Sequence, residues 1–337
     1  MTSPVSPARA PPSLCTTPRT LTGERMPKLP ERYAIVVAAT PYGADGAVDE
    51  VAFRHQLGRL RDAGVAVNLV GPGIGEAFTL SDAERDRVLA IGVEELRGQV
   101  PVRAMGREPR TPDEMIRFVR RSEELGVDAV QVYSLDIGHG AKPSLAEMAA
   151  YYDAAISATS LPVYLSSHFF IGYTLPIELL VGLAERHQNF VGMNISVMDP
   201  KYLASAIREL GYRLEIHCAG VWNAVNVLSL GGTGLMGAEG NVAPRLFADV
   251  VRHFVAGDQQ SLRTSFDQIL GLWAAIDRFG GSVGRGLKPL MNALGLPGGS
   301  LRAPLLPIPD DDLDVLLADV KALKIPELQG MSEVIAR

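Results

Sequence analysis

Between residues 33 and 257 one unit recurs eight times: a short apolar or β-branched run, a glycine-rich or polar loop, then an amphipathic helical pattern. The runs fall at 33–39, 65–70, 102–105, 129–133, 163–166, 191–195, 214–218 and 234–237. Parallel strands need a crossover of a dozen or more residues, and a helix between each pair supplies it. Eight such units in succession predict a sheet closed on itself, an α/β fold of the (β/α)8 TIM barrel kind. A doubly wound open sheet is the rival, and it places a phosphate-binding glycine fingerprint after its first strand. Here that turn reads Thr40-Pro41-Tyr42-Gly43-Ala44-Asp45-Gly46, with no GxGxxG.

Helix starts are marked as well. Ser81 with Glu84 and Ser144 with Glu147 have the spacing of capping boxes, and Thr111 precedes Pro112 as a cap before a first-turn proline. After Gly257 the alternation stops, and helical patterns at 259–280, 284–295 and 310–323 predict a C-terminal helical extension. The expected organisation is a leader over 1–30, a barrel over 31–257, an extension over 258–325 and a tail over 326–337. The leader is rich in Pro, Ser, Thr and Arg and too poor in apolar residues to offset the entropy of ordering, so it is expected to be disordered. Met26 within it offers an alternative start.

Composition excludes several function classes. With 47% hydrophobic residues in 337, the chain can bury a large core. A net charge of −6 and no clustered basic surface argue against a nucleic-acid partner. No apolar run approaches the roughly 18 residues of a membrane helix, and the leader lacks a signal-peptide core, so neither a membrane nor export is expected and the cytoplasm is. Cys15 and Cys218 form neither a disulfide framework nor zinc spacing.

Two stretches, GPGIGEAFTLSDAERDRV at 71–88 and GRGLKPLMNALGLPGGSLRAPLLP at 284–307, resemble the dihydrodipicolinate synthase and N-acetylneuraminate lyase family. The resemblance covers roughly 33–308 and implies the same barrel with helical extension, and a homotetramer built as a dimer of dimers. It also implies an aldolase that holds a keto acid on a strand-end lysine in the pattern apolar-Gly-Ile-Lys. The matching stretch here is Val191-Gly192-Met193-Asn194. The delocalised amide of Asn194 cannot form an imine, so the family's defining step is excluded at this position.

Reacting groups in such barrels come from the C-terminal ends of the strands. Thr40, Pro41 and Tyr42 match the family's opening, with Tyr42 either a turn residue or a substrate contact. Gly75 and Glu76 match the next loop, but Gly73 and Ile74 replace its paired hydroxyls, and Glu76 is expected to anchor loop amides. Ser134, Asp136 and Ile137 stand where the family has a relay tyrosine. Counted without gaps from Gly172, Leu165 replaces the catalytic tyrosine, Ser166 an asparagine, His168 a proline and Phe170 the carboxylate-binding arginine. Tyr164 is one residue off register and should face the other side of the sheet unless a bulge intervenes. Asn194, Ser196, His217 and Glu239 complete the strand ends.

The loss is concerted, which disfavours a Schiff-base aldolase, though Lys142 and Lys201 remain candidates for a relocated amine; Lys288 sits in a stretch that looks structural. The leading expectation is a divergent lyase or synthase acting on a carbon–carbon or carbon–heteroatom bond of a small metabolite, without an imine or cofactor. His168 or His217 is the base, Asp136 orients it, and Asn194 with Ser166 stabilises developing negative charge. Tyr42, Gly73, Ile74, Ser134, Tyr164, Leu165, Ser166, Phe170, Ser196 and Glu239 are the expected substrate contacts. A metal held by His139, His168, His217, Asp136 and Glu239 is a weaker variant that no ligand motif supports. The contrasting expectation is a non-catalytic binding or scaffold protein, favoured by the apolar replacements Ile74, Ile137, Leu165 and Phe170. With the arginine gone, the ligand should be larger and less charged than a simple 2-keto acid.

Overall fold

The computed structural model describes residues 31–331. The expected leader with Cys15 and Met26, and the last residues of the tail, lie outside them. Eight parallel strands close into a barrel in sequence order: β1 Tyr33–Val37, β2 Ala66–Leu69, β3 Val102–Ala104, β4 Ala129–Val132, β5 Val163–His168, β6 Phe190–Ser196, β7 Glu215–Ala219 and β8 Gly234–Gly237. Between and after them run α1 Glu50–Asp62, α2 Asp82–Leu96, α3 Pro112–Leu125, α4 Leu145–Ser157, α5 Ile177–Arg186, α6 Pro200–Leu210, α7 Ala224–Ser229 and α8 Pro244–Ala256. Three more helices, α9 Gln259–Asp277, α10 Gly284–Ala293 and α11 Asp310–Ala322, form the C-terminal extension. Among the described residues no helix is long and apolar enough to cross a membrane.

Local chemistry explains the boundaries. Both expected capping boxes form, with Ser81 and Ser144 accepting from the Glu84 and Glu147 amides while those carboxylates accept from the cap amides. Thr111 caps α3, which ends at Gly126 with φ of 80°, a conformation open to glycine at no steric cost. The strands are buried nearly throughout, as expected for a parallel sheet covered by helices outside and side chains within.

Register decides what the barrel encloses. Between β5 and β6 the pairing jumps from Val163–Phe190 to Tyr164–Gly192, which leaves Val191 as an extra residue in β6. Above that irregularity Ser166 lies beside Asn194, and Asn194 beside His217. One step lower, Tyr164 lies beside Gly192 and Gly192 beside Glu215. Side chains alternate along a strand, so these residues share the inner face. Tyr164 therefore faces inward with Ser166 and His168 along an unbroken β5, and Leu165, which the gap-free count set at the inward position, faces the apolar layer outside; the irregularity lies in β6. Gly192 makes room for Tyr164, because a Cβ there would stand 2.6 Å from the tyrosine ring.

The lower half of the interior is polar. The Tyr33 and Tyr164 hydroxyls both donate to Glu215, the latter at 2.7 Å. Arg103, 2% exposed, donates from Nη2 to the Tyr33 oxygen at 2.6 Å and lies 4.2 Å from the centre of the Tyr164 ring. Its Nε and Nη1 have no hydrogen-bond partner among the described residues. A half-exposed Glu215 at the start of β7 supplies the counter-charge, 3.9 Å from Arg103.

Candidate active site

The mouth of the barrel is built around His168, the last residue of β5. It is 2% exposed, and neither ring nitrogen has a hydrogen-bond partner among the described residues. Its ring meets Tyr133 edge-on at 5.6 Å and Phe170 at 5.6 Å. Nε2 stands 3.5 Å from Glu108 Oε1, in the loop after β3. Burial pulls the imidazole down to about 4, so it is neutral at pH 7. Burial also raises the Glu108 carboxyl, with Asp136 adding to the effect. Tyr133 follows Gln131 by two residues and shares its inward face; burial holds the phenol far above its ordinary range, so it remains a donor. Ser166 and Ser196 are the other inward hydroxyls, and Ser196 pairs in register with His168.

Below this group the floor is closed. Asn194 is 1% exposed and both ends of its amide are engaged, Nδ2 with Gln131 Oε1 at 2.5 Å and Oδ1 with His217 Nδ1 at 3.1 Å. His217 Nε2 lies 3.1 Å from the Tyr33 hydroxyl. Burial and the nearby Arg103 charge hold His217 well below the ordinary histidine range. The structure thus places His217 in the lower network, with neither nitrogen facing the mouth.

Other expected site residues take separate places. Asp136 does not reach His168; its Oδ1 accepts from the Gly138 amide at 2.9 Å and pairs with Arg110 at 3.1 Å. Ser134 donates to the Ser166 carbonyl at 3.1 Å and accepts from Tyr152 of α4. Leu165 is fully buried in the apolar core, and Phe170 is 70% exposed at the rim. Ile74 is buried towards Gly284, while Gly73 is exposed beside Val283. Tyr42 is held between Lys288 and Arg302, with its hydroxyl 3.1 Å from Thr79. Glu239, buried with Oε2 unpartnered, fills the space behind Gly237 next to Phe247 of α8, away from the axis; burial pushes it up to about 7.

Among the described residues, the lysines considered for an imine lie away from the Asn194 floor. Lys142 and Lys201 are exposed, and Lys288 of α10 is buried against Glu76, donating to the Thr40 carbonyl at 2.7 Å and the Ser300 carbonyl at 3.0 Å. Among the described residues no three His, Cys, Asp or Glu side chains converge as a metal set would require. A cavity of about 310 Å³ lined by Arg85, Arg107, Glu114 and Arg121 lies between α2 and α3, outside the barrel axis. Sequence reading missed Glu108 and Tyr133. The signal for Glu108 was an acidic residue just past a strand end; for Tyr133 it was even spacing from Gln131.

Comparison with known proteins matches this architecture. The sequence model of the dihydrodipicolinate synthetase family matches residues 32–323. The chain belongs to that family. A 4-hydroxy-tetrahydrodipicolinate synthase of Citrifermentans bemidjiense is 26% identical over 299 residues, 87% of this chain and 98% of the relative. An uncharacterized DapA-like lyase of Halobacterium salinarum is 29% identical over 290 residues, 84% of this chain and 91% of the relative. Among solved structures, a putative dihydrodipicolinate synthetase from Pseudomonas aeruginosa superposes with a TM-score of 0.80 at 25% identity, covering 87% of this chain and 99% of its own. The E. coli prophage protein YagE, solved with pyruvate, shares the fold at a TM-score of 0.80 and 22% identity, covering 87% of this chain and 99% of its own. The chain is thus a member of an enzyme family whose curated relatives are synthases and lyases.

Proposed function

We propose that this dihydrodipicolinate synthetase family member makes or breaks a carbon–carbon or carbon–heteroatom bond in a small metabolite without a lysine imine, using His168 as its base. One observation carries the reading: a neutral, buried imidazole at the mouth with both nitrogens unpartnered, where a satisfied core histidine would have its partners within the protein. In this scheme the neutral ring carries its proton on Nε2, 3.5 Å from Glu108 Oε1 but not hydrogen-bonded to it, and its lone pair on Nδ1. His168 takes a proton from the carbon next to a carbonyl, the bonding pair moves onto the carbonyl oxygen, and the imidazolium returns a proton when the enolate has reacted. Glu108 positions the ring and Tyr133 donates to the oxygen as it becomes negative. Asn194, engaged at both ends, supports the floor and takes no part in this step.

The test uses proton exchange, which needs no knowledge of the natural substrate. In D2O the methyl protons of methyl pyruvate should be replaced in the presence of the full-length protein and should persist with His168→Ala. Borohydride in the presence of pyruvate should leave no added mass on the protein. A reduced adduct on Lys142 or Lys201 would overturn the reading. A non-catalytic binding or scaffold protein is the second reading, supported by Phe169 and Phe170 exposed side by side at the rim, ring centres 4.4 Å apart; tight ligand binding with no exchange would favour it. The family resemblance extends the proposal to a cytoplasmic homotetramer, which light scattering after gel filtration checks for assembly and cell fractionation for location.

A further inference from the structure

The charges around His168 restrict what can react there. Glu108 is largely buried beside the imidazole, and Asp136 lies on the adjacent loop, already neutralised by Arg110. Among the described residues the cations are directed elsewhere: Arg107, next to Glu108 in sequence, is exposed and lines the cavity between α2 and α3. Arg103 pairs in register with Ala129, two residues before Gln131, and so lies beneath the Gln131–Asn194 floor with its charge directed at Tyr33 and Glu215. Lys288 is bound to Glu76, and Lys142 is exposed against Gly172 of the β5–α5 loop.

Helix N-termini are the other source of positive potential at the mouth of such a barrel. Around this part of the rim they are already answered. Thr111, Ser144 and Asp199 accept from first-turn amides of α3, α4 and α6, and α5 carries Glu178 in its first turn. Among the described residues no cation is paired with Glu108 or His168, so a carboxylate beside the reacting carbonyl would lie against Glu108 as a desolvated charge without a counter-ion. What the seat does offer is neutral: the Tyr133 phenol, the Ser166 and Ser196 hydroxyls, and the His168 imidazole.

We infer that the site takes a carbonyl compound with no charge next to its carbonyl group, a ketone, aldehyde or ester, and disfavours 2-oxo acids. This rests on the reading of His168 as the base and sets the substrate class for that same seat. The Tyr133 hydroxyl receives the carbonyl oxygen, and the carbon to be deprotonated faces Nδ1. Phe170, over the histidine ring and open to solvent, supplies an apolar wall for the remainder of the molecule.

Pyruvate and methyl pyruvate differ in little but that charge, which makes them the probes. Each, labelled with carbon-13 at the methyl group, is titrated into the full-length protein and followed by NMR. The ester should bind at least about 10-fold more tightly than the acid, and Glu108→Gln should narrow the gap to about 3-fold or less by removing the repelling carboxylate. Equal binding, tighter binding of pyruvate, or no binding of the ester at about 10 mM would overturn the inference. Preferential ester binding without methyl-proton exchange would keep the ligand class and remove His168 as base. Exchange of both probes at equal affinity would keep the base and remove the ligand class.

Discussion

Two histidines on either side of β6, one on β5 and one on β7, both buried and both held neutral by burial, have opposite surroundings. His217 sits in the lower network with Asn194 on one nitrogen and Tyr33 on the other. His168 sits at the mouth with a partner on neither. A buried polar group left unpaired costs about 1–3 kcal/mol, so a fold that satisfies one imidazole and leaves the other open spends stability at the mouth. Glu239 shows that an orphan atom is not sufficient, since its free oxygen faces the helix layer behind Gly237. Position at the mouth and lack of a partner together mark the site.

The sharpest way to break this contrast is to remove each histidine in turn. His168→Ala should lower methyl-proton exchange by about 10³-fold while the unfolding midpoint in urea changes little, because the lost ring had no hydrogen bonds to give up. His217→Ala should destabilise the protein by about 2–4 kcal/mol, since it strands Asn194 and the Tyr33 hydroxyl, and should retain exchange in the folded fraction. Loss of exchange in a fully folded His217 variant would erase the distinction.

Titration sharpens it further. His168 has a folded value of about 4 against about 6.5 unfolded, so folding favours its neutral form. Its contribution to stability is complete above pH 6.5 and is lost as pH falls towards 4, by about 1–3 kcal/mol. Urea denaturation of wild type and His168→Phe at pH 7 and pH 4.5 should show this difference, with exchange holding down to about pH 5 and falling below it. Glu239 has the opposite sign. Its folded value near 7 favours the protonated form, so its contribution is present below about 4.5 and disappears as pH rises through 7. Glu239→Gln should therefore stabilise the protein by about 1–2 kcal/mol at pH 8 and scarcely at pH 5, read from thermal unfolding at both.

Much of the frame was readable from the chain because strand runs, capping boxes and terminal glycines are local signals. Ser81 with Glu84 and Thr111 with Pro112 name their helices without any tertiary information. What escaped depends on partners distant in sequence. Tyr164 faces inward because it alternates with Ser166 and His168 along an unbroken β5, and the partners that reveal it, Glu215 and Arg103, stand on β7 and β3. Glu108 reaches His168 across 60 positions of sequence, while Asp136, nearer along the chain, is captured by its own loop and Arg110. The engagement of Asn194 was hidden for the same reason: its partners stand on β4 and β7.

Lys288 carries a consequence for how this protein can be cut or joined. Its ammonium fastens α10 to the end of β1 through the Thr40 carbonyl and neutralises Glu76, a fully buried residue with φ of 49° in the turn after β2. Lys288→Met would leave that carboxylate without its counter-ion in a dry setting, at a cost of about 3–5 kcal/mol, and truncation before residue 284 would uncover it to water. The closing helices are thus a keystone over the first two strands, and an isolated eightfold barrel lacking them would be expected to melt from that side.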